Sequence, residues 1–202
     1  MLYLAMLASY LIGSISFAIV ISRFMRLADP REYGSQNAGA TNVLRSGNKK
    51  AAALTLLCDL LKGLIVVLIA KYTFGKTNGG EALVAICGIL VVVGHIYPVF
   101  FKFRGGKGVA TAIGVLLGFN LYLALLLVAV WLVTFKLSKI SSLSALIATI
   151  LAPIFAYCLM GNNSYFGATV FITILVLWKH KANIIRLLNK QEQPVVKKDT
   201  DS

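Results

Sequence analysis

Long apolar runs separated by short polar segments set the pattern of the chain. They cover about Leu2 to Ser22, Ala51 to Ala70, Ala82 to Phe101, Val109 to Phe135, Leu143 to Met160 and Tyr165 to Trp178. An α-helix needs about 20 residues to cross a hydrocarbon core of about 30 Å, and a bilayer-spanning segment must satisfy its own backbone. The pattern therefore predicts an all-α polytopic membrane protein. The first run has no positive segment before it and no small-x-small cleavage site, so it reads as a first span rather than a removable signal.

The fourth run is too long for one span and is interrupted by Gly114, Gly118 and Asn120. Breaking it at Asn120 leaves a short helix over 109–119, followed by a full span, and brings the total to seven. That short helix is on the order of 16 Å long, well under the core thickness, so its end needs protein or a cavity around it. Five spans would result from merging the last two runs, but Gly161-Asn162-Asn163-Ser164 opposes one continuous helix there.

Charge decides between these counts. There are 20 Lys/Arg against 7 Asp/Glu, a net charge of +13. With seven spans, an outside N-terminus and a cytoplasmic C-terminus, the segments 23–50, 102–107, 136–139 and 179–202 share the cytoplasmic side and hold 17 of the 20 cations. Lys71 and Lys76 then lie outside and Lys62 lies within a span. Six spans would put the basic tail outside, against the rule.

Composition agrees, at 58% hydrophobic, 13% charged and a mean hydropathy of +0.83. One integral-membrane unit over 1–196 is expected, with a disordered polar tail at 197–202. The excess positive charge suits anionic lipid; nucleic acid is excluded because the cations fall between spans rather than on one basic face. Cys58, Cys87 and Cys158 sit in three separate runs and make neither a metal nor a redox motif.

Three polar segments on the predicted cytoplasmic side carry the candidate chemistry. Arg104-Gly105-Gly106-Lys107-Gly108 is a glycine-flanked cationic loop leading into a helix; its small residues leave N–H groups open to close approach and Lys107 adds a point charge, as a phosphate requires. Tyr33 to Gly47, YGSQNAGATNVLRSG, combines hydroxyls and amides with Arg45, whose forked donors match phosphate. A solvated connection rich in turn formers is the competing reading. In His180 to Leu188, His180 and Asn183 are three apart and share one face of a helix. An amphipathic tail on anionic lipid explains that segment equally well.

Inside the apolar runs, Asp59 and Lys62 are three apart, and an ion pair that fixes helix packing is the favoured reading over chemistry. His95, ahead of Pro98, reads as a structural hydrogen-bonding group. Walker A needs Ser or Thr after its lysine, whereas Gly108 follows Lys107, so a P-loop nucleotide enzyme is excluded. No acidic cluster calls for a metal, and no cofactor is expected. A small transporter for a phosphorylated anion would also need cytoplasmic cations and a broken helix, and stands as the alternative class.

Taken together, YGSQNAGATNVLR, GHIYPVFFKFRGGKGVAT and HKANIIRLL resemble, in order, the three motifs of the bacterial acyl-phosphate:glycerol-3-phosphate acyltransferases of the PlsY type. The resemblance extends over nearly the whole chain, to Asp59-x-x-Lys62-Gly63 and to Ser142-Leu143. Lys190 departs from it, standing where the family often has Gly before its Gln/Glu pair, which makes Glu192 the family glutamate. The resemblance implies transfer of a fatty acyl group from acyl phosphate to the 1-hydroxyl of sn-glycerol 3-phosphate, giving lysophosphatidic acid and phosphate, at the cytoplasmic side of a bacterial inner membrane.

It implies a catalytic set of Ser35, Arg45, Lys107, His180 and Asn183. Asn37, Thr41, Asn42, Arg104, Gly105, Gly106, Gly108 and Ser142 would bind substrate, and Asp59, Lys62, His95 and Glu192 would support the site. Both substrates are anions and the donor carries its own leaving group, so orientation and charge compensation are the main demands. The proton acceptor stays open among His180, His95 and a substrate phosphate oxygen.

Overall fold

The computed structural model describes residues 1–195, and the tail expected at 197–202 lies outside them. Ten α-helices follow in order: α1 (Leu2–Gly13), α2 (Phe17–Phe24), α3 (Ala40–Leu44), α4 (Lys49–Phe74), α5 (Gly80–Ile96), α6 (Val109–Phe119), α7 (Leu121–Ser138), α8 (Ser141–Met160), α9 (Ser164–Lys179) and α10 (Lys181–Leu188). A 3-10 turn at Val99–Phe101 extends α5. Among them, α4, α5 with its extension, α7 and α8 are each long and apolar enough to cross a bilayer. Two bent pairs, α1 with α2 at 47° and α9 with α10 at 59°, raise the number to six, and α6 is a shorter apolar helix.

The break in the long fourth run falls at Asn120, where it was expected. Asn120 accepts the Leu123 N–H with its side chain at 3.1 Å and so starts α7 as an N-cap. The end of α6 is also satisfied: Lys71, from α4, donates to the Phe119 carbonyl at 3.2 Å, and the Phe119 ring stacks on Tyr165 at 4.6 Å. Lys71 was expected simply as a cation of the outer loop. It serves instead as the cap of the short helix, supplying the donor that the freed carbonyl needs.

The first run, expected as one helix over 2–22, is broken at Ser14–Ser16. Lys62 explains how the break is tolerated. Its ammonium donates to the Gly13 carbonyl at 3.0 Å and the Ile15 carbonyl at 2.7 Å while lying 2.8 Å from Asp59. Carbonyls freed at a helix end are expensive to leave unpaired in an apolar setting, and a cation there also complements the helix dipole. The ion pair thus shapes the fold, as its spacing suggested.

Small residues set the depth of the later helices. A Cβ on Gly114 would stand 2.0 Å from the Leu60 carbonyl oxygen, one on Gly63 2.3 Å from the Thr111 oxygen, and one on Gly118 2.6 Å from Val67. From Gly63 against Thr111, through Val67 against Gly118, to Lys71 on the Phe119 carbonyl, the contacts advance along both helices, so α4 and α6 run parallel in backbone contact. The start of α6 therefore lies beside Asp59 to Gly63, ten or more residues into α4, or roughly 15 Å from its first residue at 1.5 Å per residue. The segment 97–108 dips to that level between α5 and α6.

Candidate active site

Loops distant in sequence close on one another at this end of the bundle. Thr41 and Ser141 share a hydrogen bond at 3.1 Å, Lys107 reaches Asn183, Ser142 reaches Glu192, and the Val195 N–H donates to the Lys139 carbonyl. They enclose a cavity of about 390 Å³. Its polar end is lined by Ser35, Asn37, Thr41, Asn42, Arg45, Asp59, His95, Lys107, Gly108, Ser142, His180, Asn183 and Glu192. Its apolar end runs between Ile113 and Leu116 of α6, Leu127 and Trp131 of α7, Ala148 and Ala152 of α8, and Ile172 and Val176 of α9. A polar head joined to an aliphatic chain matches that division.

One chain of hydrogen bonds organises the cationic side. Lys107 Nζ donates to Asn183 Oδ1, Asn183 Nδ2 donates to Glu192 Oε1, Ser142 Oγ donates to the same oxygen at 2.7 Å, and Arg186 Nε donates to Glu192 Oε2 at 2.6 Å. An ammonium can only donate and a carboxylate can only accept, so the Asn183 amide has one permitted orientation. Burial works to raise the Glu192 pKa, but the hydrogen bonds from Ser142, Arg186 and Asn183 and the charge of Arg186 outweigh it. The carboxyl is held below its ordinary value and stays ionised.

Lys107 is half-buried, and this is the main reason its pKa falls to about 8. Glu192 opposes the fall, while Arg186, Arg45 and Lys179 add to it. His180 is buried at the junction of α9 and α10. Its Nδ1 lies 2.8 Å from the Val176 carbonyl, which can only accept, so Nδ1 carries the proton and Nε2 is left as an acceptor. Burial, together with the nearby Lys107 charge, takes its pKa down to about 4 against the opposing effects of Val176 and Glu192. The ring is neutral near pH 7. Arg45 is exposed at the end of α3 and makes no ion pair among the described residues.

Several expected roles change. Gly105 and Gly106 do not offer bare N–H groups to the cavity: the Gly106 N–H donates to the His95 carbonyl at 3.2 Å, and neither glycine lines the cavity. A Cβ on Gly105 would meet the His95 oxygen at 2.1 Å, and one on Gly106 would meet His95 Nε2 at 2.2 Å and the Ala38 oxygen at 2.7 Å. Close packing on His95 is what requires glycine there. Arg104 is exposed and away from the cavity. Asn42 is buried and committed to backbone, donating to the Pro30 and Tyr33 carbonyls and accepting the Ser35 N–H at 2.9 Å. It shapes the loop that presents Ser35 rather than offering free donors to a substrate. Lys62 does not line the cavity; its ammonium is held by Asp59 and the Gly13 and Ile15 carbonyls.

Arg186 was missed as a site residue, although its position three after Asn183 puts it on the same face of α10. Arg186 acts through Glu192 without lining the cavity, whereas Gln193 and Val195 line it from the segment that follows α10. Nothing local to the sequence marks them.

Lys190 explains how that segment turns. It has φ 56°, with the Lys190 N–H bonded to the Leu187 carbonyl and the Gln191 N–H to the Arg186 carbonyl, a Schellman turn with lysine in the left-handed position. Lys190→Gly is expected to raise the thermal midpoint of the purified protein, with a gain of up to about 1 kcal/mol. An unchanged or lower midpoint in a thermal unfolding scan would contradict it.

A family model described as glycerol-3-phosphate acyltransferase matches residues 3–190. The chain belongs to that family. The glycerol-3-phosphate acyltransferase of Chromobacterium violaceum is 52% identical over 190 residues, covering 94% of this chain and 92% of that protein. The Burkholderia thailandensis protein of the same name is 51% identical over 201 residues, with 98% of each covered. Crystal structures of PlsY, an integral membrane glycerol 3-phosphate acyltransferase, match in its glycerol 3-phosphate form (TM-score 0.89) and its lysophosphatidic acid form (TM-score 0.88). Both are 38% identical and cover 96% of this chain and 94% of the PlsY chain. The family assignment makes this a multi-pass membrane protein and agrees with its apolar helices.

Proposed function

We propose that the protein transfers a fatty acyl group from acyl phosphate to the 1-hydroxyl of sn-glycerol 3-phosphate at the cytoplasmic side of the membrane. The observation that carries the reading is a single cavity with Ser35, Arg45, Lys107, His180 and Asn183 at its polar end and an apolar slot between four helices at the other. A phosphate on the acyl donor lies with Lys107 and the α6 start while its chain runs between α6, α7, α8 and α9. Glycerol 3-phosphate sits against Arg45 and Ser35, where the guanidinium supplies paired donors. The basic segments 23–50, 102–107 and 136–139 support a cytoplasmic site by the positive-inside rule.

Chemically, the hydroxyl oxygen attacks the acyl carbon, the new ester C–O bond forms, and the bond to the phosphate oxygen breaks. A neutral His180 with a pKa about 4 is a weak base but a good acceptor, so it orients the hydroxyl through Nε2 and the proton leaves on the departing phosphate. No acyl-enzyme is required because phosphate is already a good leaving group.

Purified protein in detergent, given acyl phosphate and glycerol 3-phosphate alone, should form lysophosphatidic acid and phosphate in equal amounts without ATP, acyl-CoA or acyl carrier protein. A carrier for a phosphorylated anion would need a sealed bilayer and would form no ester.

The Lys107 environment predicts the pH profile. Above about pH 8 the free enzyme loses the ammonium, so kcat/KM should fall with rising pH. Bound anions favour the charged form, so the corresponding limb in kcat should lie at higher pH. Steady-state rates across this range check both; a kcat/KM that stays flat to the ordinary lysine value would rule out the assignment.

A further inference from the structure

His95 has no place in the chemistry above, yet it stands at the meeting point of four segments. Its Nδ1 faces Asp59 Oδ1 at 3.4 Å and has no hydrogen-bond partner among the described residues. Asp59 is in turn 2.8 Å from Lys62, which is anchored on the Gly13 and Ile15 carbonyls. The ring is buried, and its rotation is limited by this acidic neighbour on one side and by Gly106 at Nε2 on the other. The His95 carbonyl receives the Gly106 N–H, so both the main chain and the side chain of one residue support the same glycine. Lys107 is next in sequence. Phe103 and Lys102, both at left-handed φ, feed the chain into this seat from the other side.

We propose that His95, oriented by the buried Asp59–Lys62 pair, is a positioning residue that sets how deep the 104–108 loop sits, and with it where the Lys107 ammonium stands in the cavity. The inference rests on the reading of Lys107 as the cation that meets the donor phosphate. A floor of this kind suits a loop with little side-chain packing of its own: Gly105 and Gly106 cannot fill space, so the ring beneath them decides their height. Displacement of a reacting group by about 1 Å can reduce turnover about 100-fold, which makes the height of such a floor a catalytic variable.

The test reads Lys107 itself. Trace acetic anhydride modifies only unprotonated amines, and mass spectrometry of the Lys107 peptide from about pH 6 to about pH 11 yields the titration of that one lysine in the detergent-solubilised protein. The groups facing it are Glu192 beyond α10, Asn183 and Arg186 on α10, Lys179 and His180 at the end of α9, and Arg45 at the end of α3. Asp59 of α4 lines the same cavity, and a His95 substitution changes none of these residues.

In His95→Ala the loop loses its floor, and the Lys107 titration should move away from its wild-type position, upward if the amine gains water. Turnover should fall about 100-fold, with a smaller effect on KM for glycerol 3-phosphate. His95→Gln retains an N–H for Asp59 and should lie between the two; it also serves if the alanine variant does not fold. An unmoved Lys107 titration in a folded His95 variant overturns the proposal even if activity drops. A shifted titration in a protein whose wild type forms no lysophosphatidic acid would instead leave the positioning intact and defeat the acyl-transfer reading.

Discussion

Lys107→Ala is expected to lower kcat by about 100-fold to about 1,000-fold while the protein stays folded, the scale seen when one preorganised charge-stabilising donor is removed. The half-buried ammonium is held by Asn183, which is in turn fixed by the Glu192 carboxylate. Losing it takes a cation from the place where the proposed reaction brings two phosphates together, while Asn183 retains its bond to Glu192 and the loop retains its bond to His95. Initial rates with both substrates near saturation, beside a thermal unfolding scan of the same preparation, check the result. Turnover within tenfold of wild type would remove Lys107 from the chemistry.

Gly114→Ala is expected to damage both stability and activity. The added methyl would start 2.0 Å from the Leu60 carbonyl oxygen, a backbone atom in the middle of α4 that has no rotamer to adopt. The helices must separate, and overpacking of this kind costs about 1–3 kcal/mol or somewhat more. Because α6 begins two residues after Lys107, its displacement passes directly to the cation, and a shift near 1 Å is enough for about a 100-fold loss of turnover. A thermal midpoint and a rate that both match wild type would show that α4 and α6 are not packed as described. Ala112→Gly, on the same helix and at the cavity wall, leaves this contact unaltered and should affect rate far less than Gly114→Ala.

Where the sequence carried local signals, the fold could be read from it. Asn120, with Gly114 and Gly118, marked a break in a run too long for one span, and the turn-forming residues Gly161-Asn162-Asn163-Ser164 separated the last two long helices. The break at Ser14–Ser16 was not readable in the same way. Gly13-Ser14 is a weak kink signal, and the stability of the break depends on Lys62, a residue far along the chain.

The site shows the same division. Ser35, Arg45, Lys107, His180 and Asn183 were legible as motif residues, and all line one cavity. The purpose of Gly105 and Gly106 was misread because a run of glycines beside a lysine looks alike whether its empty space faces a ligand or a histidine ring. Glu192 was recognisable as a motif position, but its bonds to Ser142, Asn183 and Arg186 depend on how the chain returns after α10, which no local pattern specifies.

The depth of the 97–108 segment, roughly 15 Å along α4, bears on the donor's path. Drawing an aliphatic tail out of a leaflet into water costs about 0.8 kcal/mol for each methylene, a toll that would climb with every added carbon if the reaction took place at the aqueous surface. In the proposed reaction the scissile carbonyl meets the cations at that depth while the hydrocarbon keeps the company of other hydrocarbon. Lengthening the donor should therefore change the rate little until its terminal methyl strikes the far wall of the slot.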